Sequence, residues 1–146
     1  MKFEGSKEVS TGTGNVWKFI TTPENMAQCM PDVQSYNVVD DNTVNAKLKV
    51  GIGFIKEIFD SVISFSVVEE GKKLLITVNS KGKSNTATIK IDASLEGNEQ
   101  STTLKWDVDA MMAGKLASIG QRYIQKVSDK IIEQAFVCMT KKLSTK

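Results

Sequence analysis

The sequence predicts an α+β fold in which a long C-terminal helix packs across a curved antiparallel sheet. Two patterns predict it. The middle of the chain is a series of segments in which apolar and polar residues alternate, with short polar turns between them. The final segment instead spaces its apolar residues by three and four, as an amphipathic helix does. Because the turns are too short for crossover helices, neighbouring strands must run antiparallel.

Length and composition favour one globular domain, residues 1–146. A chain of 146 residues suits a single domain. Its 40% hydrophobic and 25% charged residues are ordinary for such a domain. The formal net charge of +2 is too small to favour nucleic acid as a partner, and no basic run is interleaved with aromatic residues.

No apolar stretch is long enough to span a membrane, which takes about 18 residues or more. The N-terminal residues Met1–Gly5 also lack the apolar core of a signal peptide. The sequence therefore predicts a cytoplasmic protein.

The first part of the chain predicts one strand and two short helices. Residues 2–11 form the strand, and apolar residues within 15–20 are spaced for a buried helical turn. Thr22 is a suitable N-cap and Pro23 a suitable first residue for the second helix. That helix must end before Pro31.

Six more strands follow, which makes a seven-stranded sheet. Each places its apolar residues on one face, so the sheet has one dry face that needs a cover. The residues that define this face in the clearest strands are Val44, Ala46, Leu48, Val50, Phe59, Ile63, Phe65, Val67, Leu74, Ile76, Val78, Ala87, Ile89, Ile91, Ala93, Leu95, Thr102, Leu104, Trp106, Val108 and Ala110.

The cover is a helix over about residues 113–143. At about 1.5 Å per residue it would be about 40–45 Å long, enough to cross the sheet. Gly114 and Gly120 fall inside it or near its start, where a glycine costs about 1 kcal/mol relative to alanine. We expect close packing on the sheet, or space for a ligand, to offset that cost. This order of elements is the helix-grip order of the START-like superfamily.

Catalytic and metal chemistry have little support in the sequence. Histidine is absent, which removes the Ser-His-Asp and Cys-His arrangements and the commonest metal ligand. Cys29 and Cys138 are too few and too far apart in sequence for a zinc site, and we interpret them as buried or free thiols. A disulfide is the alternative, because the short helices of this fold should support the far end of the long one. Asp107 and Asp109 alternate with apolar residues and should face water. We predict no catalytic residue, no metal and no cofactor.

Two loops should meet at one end of the sheet. Residues 51–56, Gly-Ile-Gly-Phe-Ile-Lys, have glycines but not the spacing of a phosphate loop, and a strand follows them. They should connect the third and fourth strands, either as a gate over a cavity or as a simple hairpin. Residues 79–85 should lie opposite, where Lys81 and Lys83 either steer an anionic group or form a solvated turn.

We predict an apolar ligand pocket between the sheet and the long helix, open near residues 50–55, 79–85 and 111–117. The predicted ligand-binding residues are Ile52, Phe54, Phe59, Ile63, Ile76, Trp106, Val108, Met111, Leu116, Gly120, Tyr123 and Ile124.

Three alternatives remain open at this point. The same apolar residues are compatible with a fully packed core, in which case the domain docks a partner protein. An enzyme would need an inward-facing acid with a raised pKa, for which Glu57 is the candidate. Arg122, Lys126 and Lys130 form a basic stripe on the helix, which either is solvated or contacts an anionic lipid or a protein.

Several motifs also carry a family resemblance. They are Phe3-Glu4-Gly5, Val16-Trp17, Pro23-Glu24, Cys29-Met30-Pro31, Lys49-Val50-Gly51-Ile52-Gly53 and the run from Gly114 to Arg122. With them, nearly the whole chain resembles the CO dehydrogenase CoxG family, within the START/polyketide-cyclase-like (SRPBCC) superfamily.

The resemblance implies a helix-grip domain that is accessory to a molybdenum hydroxylase or CO dehydrogenase complex, and we predict that it is not an enzyme. It implies a role in maturation or in peripheral contact with the inner face of the membrane, and a hydrophobic ligand such as a quinone or lipid. Two features depart from the family pattern. Asp32 stands where glycine is usual, and the sequence ends at Lys146 without the apolar tail of some members.

Overall fold

A computed structural model describes residues 1–52 and 54–144. It confirms the helix-grip fold, with a seven-stranded antiparallel sheet in the order β1-β7-β6-β5-β4-β3-β2. The elements are β1 (Lys2–Val9), α1 (Thr13–Ile20), α2 (Pro23–Cys29), β2 (Val33–Asp40), β3 (Thr43–Ile52), β4 (Ile55–Glu69), β5 (Lys73–Lys81), β6 (Thr86–Gly97), β7 (Thr102–Ala113), a 3-10 segment (Gly114–Ser118) and α3 (Gln121–Ser144).

The two short helices form where the sequence predicts them. Val16, Phe19 and Ile20 of α1 are buried against the sheet's dry face. In α2, Thr22 and Pro23 hold the predicted N-cap and first positions. The Thr22 hydroxyl, however, donates to a carbonyl of α1 at 2.6 Å and does not cap α2.

Asp32, which follows α2, has a φ of +60°. Glycine adopts this left-handed conformation at least cost, and aspartate is one of the few other residues that tolerate it. The position therefore requires a left-handed backbone. Glycine would adopt it in the family pattern, and here Asp32 adopts it with a short polar side chain.

The predicted start of the long helix is wrong. β7 continues to Ala113, the 3-10 segment follows, and α3 begins only at Gln121. Its 24 residues span about 36 Å rather than 40–45 Å. Neither Gly114 nor Gly120 therefore lies within this helix.

Gly114 explains the break. Its φ is +83°, and a Cβ there would lie 2.2 Å from the backbone oxygen of Ser84. The chain must therefore leave β7 through a glycine that touches the β5–β6 loop. A Cβ on Gly120 would meet open space, so packing does not require glycine at that position.

The C-terminal half of α3 is fixed to the rest of the domain. Phe136 and Met139 are buried in the main apolar cluster. Cys29 and Cys138 form a disulfide that joins α2 to α3, with their Cα atoms 5.5 Å apart. The free-thiol interpretation is therefore wrong, because the fold brings together two cysteines that are 109 residues apart in sequence.

Apolar packing is divided into two clusters. The larger one joins α1, α2, the central strands and the C-terminal half of α3. The smaller one, at the opposite end of the sheet, consists of Ile55, Phe59 and Leu116 with half-buried neighbours that include Ile52 and Met112. Of the described residues, none in the range 121–131 belongs to either cluster.

Candidate functional site

A hydrogen-bond network joins three segments at the end of the sheet where loops were expected to meet. The backbone N–H of Ser84 donates to Glu57 Oε1 at 2.8 Å, and Asn85 Nδ2 donates to Glu57 Oε2 at 2.5 Å. The backbone N–H of Leu116 donates to Asn85 Oδ1 at 2.9 Å. Buried Asn85 thus links β4, the β5–β6 loop and the 3-10 segment. Gly53, part of the predicted gate, lies outside the described residues.

Glu57 has a structural role in this network. The hydrogen bond from the Asn85 side chain, followed by that from the Ser84 backbone, lowers the pKa of Glu57 below its ordinary value of 4.5. A general acid would need the opposite shift. Glu57 therefore lacks the raised pKa that a catalytic acid in this superfamily would need.

The lowered pKa predicts how stability depends on pH. Because the unfolded chain binds a proton on Glu57 more readily than the folded one, the carboxylate stabilises the fold fully above pH 4.5. That contribution is lost as the pH falls through the folded-state pKa. Relative to Glu57→Gln, we expect the wild type to be more stable at neutral pH and to lose this advantage in acid. Urea unfolding of both proteins at neutral pH and in acid checks this. An equal difference in unfolding free energy under the two conditions would contradict it.

A groove of about 560 Å³ lies between α3 and the exposed end of β3. We call it the β3–α3 groove. It is lined by Met30, Pro31, Asp32, Leu48, Lys49, Val50, Gly51, Ile52, Tyr123, Lys126, Val127, Lys130, Ile131 and Gln134. Its volume lies within the range of about 300–1,000 Å³ that is usual for small-molecule sites.

The groove exists because β2 stops before β3 does. Pairing between these strands reaches Val33 opposite Leu48, and one further bond runs from the Lys49 N–H to the Asp32 carbonyl. Beyond it, Val50 and Ile52 have no strand on that side, so α3 forms the opposite wall of the groove.

The groove combines an apolar interior with a basic rim. Leu48, Val50 and Val127 are half-buried apolar residues within it. Lys126 and Lys130 lie one helical turn apart on the α3 wall, and both are exposed. The arrangement suits burial of an apolar chain. In residues 1–52 and 54–144, no cluster of three His, Cys, Asp or Glu side chains could hold a metal.

The predicted ligand-binding residues fall into four groups. Those in the groove are Ile52 and Tyr123. Those buried in the interior are Phe59, Ile63, Ile76, Leu116 and Ile124. Those half-buried on the concave face are Trp106 and Val108. Those exposed are Phe54, Met111 and Gly120.

Met111 and Phe54 lie apart from the groove lining. Met111 is 69% exposed because Ala110 and Met112, its neighbours in β7, occupy the inward positions. Phe54, at the loop tip, is 73% exposed. A ligand role for the predicted residues stays a prediction, and the groove favours Ile52 and Tyr123 among them.

Sequence reasoning did not select Leu48, Lys49, Val127 and Lys130 as site residues. Leu48 and Val127 were visible as apolar positions of a strand and a helix, and Lys130 as part of a basic stripe. The missing information was where α3 crosses the sheet. Phe136, which packs on Trp106 with ring centroids 5.5 Å apart, was not selected either.

The model of the carbon monoxide dehydrogenase CoxG family matches residues 5–144. The chain belongs to the CoxG family. The match covers α3, every groove residue and all of the sheet except the first residues of β1, and it confirms the resemblance drawn from the motifs.

Solved structures that are similar to this CoxG-family chain share its fold. A conserved protein from Geobacillus kaustophilus has a TM-score of 0.90 at 23% identity, covering 99% of this chain and 96% of its own. A START superfamily protein from Mycobacterium smegmatis has a TM-score of 0.74 at 12% identity, covering 99% and 97%. Ara h 8.0201 has a TM-score of 0.68 at 13% identity, covering 100% and 99%.

No curated protein sequence matches the chain. Among the helices that the structure describes, none has the length and apolar character needed to cross a membrane.

Proposed function

We propose that this CoxG-family protein binds a hydrophobic small molecule, quinone-like or lipid-like, in the β3–α3 groove and is not an enzyme. The observation that carries the proposal is the groove itself, which has the volume of a ligand site and an apolar interior. Transfer of an apolar chain from water into it would contribute roughly 25 cal/mol per Å² of buried surface.

The packing of α3 supports the proposal. Residues 121–131 join neither apolar cluster, although Ile124 is buried, whereas the C-terminal half of the helix contributes Phe136 and Met139 to the main cluster and carries the disulfide. Tyr123 and Ile131 remain 47% and 44% exposed although they are large apolar side chains facing a groove. A ligand would cover surface that the protein leaves uncovered.

Filling the groove should abolish binding. Val127→Trp places a large ring in the groove at a residue that belongs to neither cluster, so the fold should tolerate it. We expect its dissociation constant for a short-chain menaquinone analogue, measured by calorimetry, to rise at least about tenfold.

The matched control for that experiment is Val137→Trp. Val137 is 55% exposed on the same helix and does not line the groove, so binding should stay within about twofold of wild type. Equal affinities for the wild type and both variants would place the ligand elsewhere. If neither a quinone nor a lipid binds the wild type, the proposed function is wrong.

Membership of the CoxG family supports a second part of the proposal. We infer that the protein acts as an accessory to a CO dehydrogenase-type molybdenum enzyme, with peripheral contact with the membrane. Sedimentation of the purified protein with and without such an enzyme tests the partnership. A single faster-moving complex is expected, and independent sedimentation at micromolar concentrations would contradict it.

A further inference from the structure

We propose that the β3–α3 groove selects a ligand with an anionic head, and that a long-chain fatty acid is its occupant. The inference rests on the proposed function and adds the chemistry of the head group. The apolar chain would lie along Leu48, Val50 and Val127, and the carboxylate would meet the lysines at the rim.

The charges that line the groove are strongly unequal. Three of the residues that line it, Lys49, Lys126 and Lys130, are basic, and Asp32 is the only acidic residue among the lining residues. The whole chain has a formal net charge of only +2, so the groove's excess of two positive charges is as large as that of the entire protein. Such an excess attracts an anion and repels a cation.

The two helix lysines are also available to a ligand. In the part of the chain that the structure describes, the ion pairs are Lys7–Glu133, Lys47–Asp60 and Lys105–Glu96, and none involves a groove lysine. Glu133 of α3 is thus engaged by β1. Asp129, the other carboxylate near the two helix lysines, does not line the groove.

The spacing of the helix lysines adds a further reason. Lys126 and Lys130 are four residues apart, a separation at which like charges on a helix repel each other. Lys49 belongs to the β3 wall, but alternation along the strand turns its side chain to the face opposite Leu48 and Val50. A carboxylate at the α3 rim would contact the ammonium groups of Lys126 and Lys130 and relieve the repulsion, whereas a neutral head would do neither.

The shape of the groove favours a fatty acid over a large polar anion. The apolar side chains and the lysines line one continuous space, so a single molecule can contact both. A fully polar anion would leave Leu48, Val50 and Val127 facing water. A neutral apolar molecule would leave the lysines without an anionic partner.

The test compares two ligands that differ only in the head group. Dodecanoate and dodecanol, below the concentrations at which they aggregate, are titrated into the wild type, Lys126→Gln/Lys130→Gln and the control Lys90→Gln/Lys141→Gln. The control removes the same charge from exposed lysines outside the groove lining. Each exposed ion pair contributes little, so the two lysines together should give only a modest preference. We expect dodecanoate to bind the wild type about tenfold more tightly than dodecanol.

The preference should disappear in Lys126→Gln/Lys130→Gln and shrink at high salt, while dodecanol affinity stays unchanged and shows that the variant is folded. The control variant should keep the preference. Equal binding of both ligands to the wild type, or an equal loss in both variants, would overturn the anionic head and leave the apolar site intact. If neither ligand binds and the menaquinone analogue also fails, the proposed function itself is wrong.

Discussion

Replacing Cys138 with serine is expected to lower the free energy of unfolding by about 2–5 kcal/mol. The disulfide closes a loop between residues 109 apart in sequence, and long loops restrict the unfolded chain most. It also joins α2 to the half of α3 that is buried. Urea unfolding of the two proteins, without reductant, measures the difference.

Reductant provides the control for this prediction. It should destabilise the wild type to about the level of Cys138→Ser and leave the variant unchanged. Thiol titration of the denatured wild type, purified without reductant, should find no reactive thiol. Two reactive thiols would contradict the bond. They would also fit the cytoplasmic expectation, because structural disulfides are rare in that reducing compartment.

Truncating Phe136 to alanine is expected to destabilise the protein by about 3–5 kcal/mol. The ring is 7% exposed, packs on Trp106 and lies 5.6 Å from the ammonium group of Lys7. Its removal leaves a cavity where α3 meets the sheet. Because Trp106 is the ring's neighbour, fluorescence during urea unfolding reports both stability and local packing.

The adjacent residue supplies the control. Val137 is 55% exposed, so Val137→Ala should change stability by no more than about 0.5 kcal/mol. Similar small effects of Phe136→Ala and Val137→Ala would mean that the C-terminal half of α3 does not pack on the sheet.

The strands were predictable because the sheet has one dry face. In β6, for example, the apolar series from Ala87 to Leu95 predicts a strand that is found over Thr86–Gly97. Alternation within each such strand shows which residues face inward, and a short polar turn makes the next strand along the chain its neighbour. The succession of strands along the chain and the closing helix therefore followed from local pattern, whereas the pairing of β1 with β7 did not.

The start of α3 was not predictable in the same way. The conformation of Gly114 depends on contact with Ser84 and Asn85, which lie about thirty residues earlier in the chain. The disulfide likewise depends on where α2 meets α3. Periodicity within a segment carries no information about these distant contacts.

The groove was predictable only in part. Alternation places Val50 and Ile52 on the inward face, but it does not show that β2 ends before reaching them. Nor does helical spacing show which part of α3 packs tightly and which stays apart from the core. The residues of the site could be recognised in the sequence, but their proximity across the groove could not.

The central claim is that the β3–α3 groove holds an apolar molecule. Mass spectrometry under native conditions, applied to the wild type, Val127→Trp and Val137→Trp purified identically, tests it most directly. We predict one apolar molecule per chain in the wild type and in Val137→Trp, and none in Val127→Trp. Equal occupancy in all three proteins, or bare protein that remains bare after incubation with quinones and fatty acids, would contradict it.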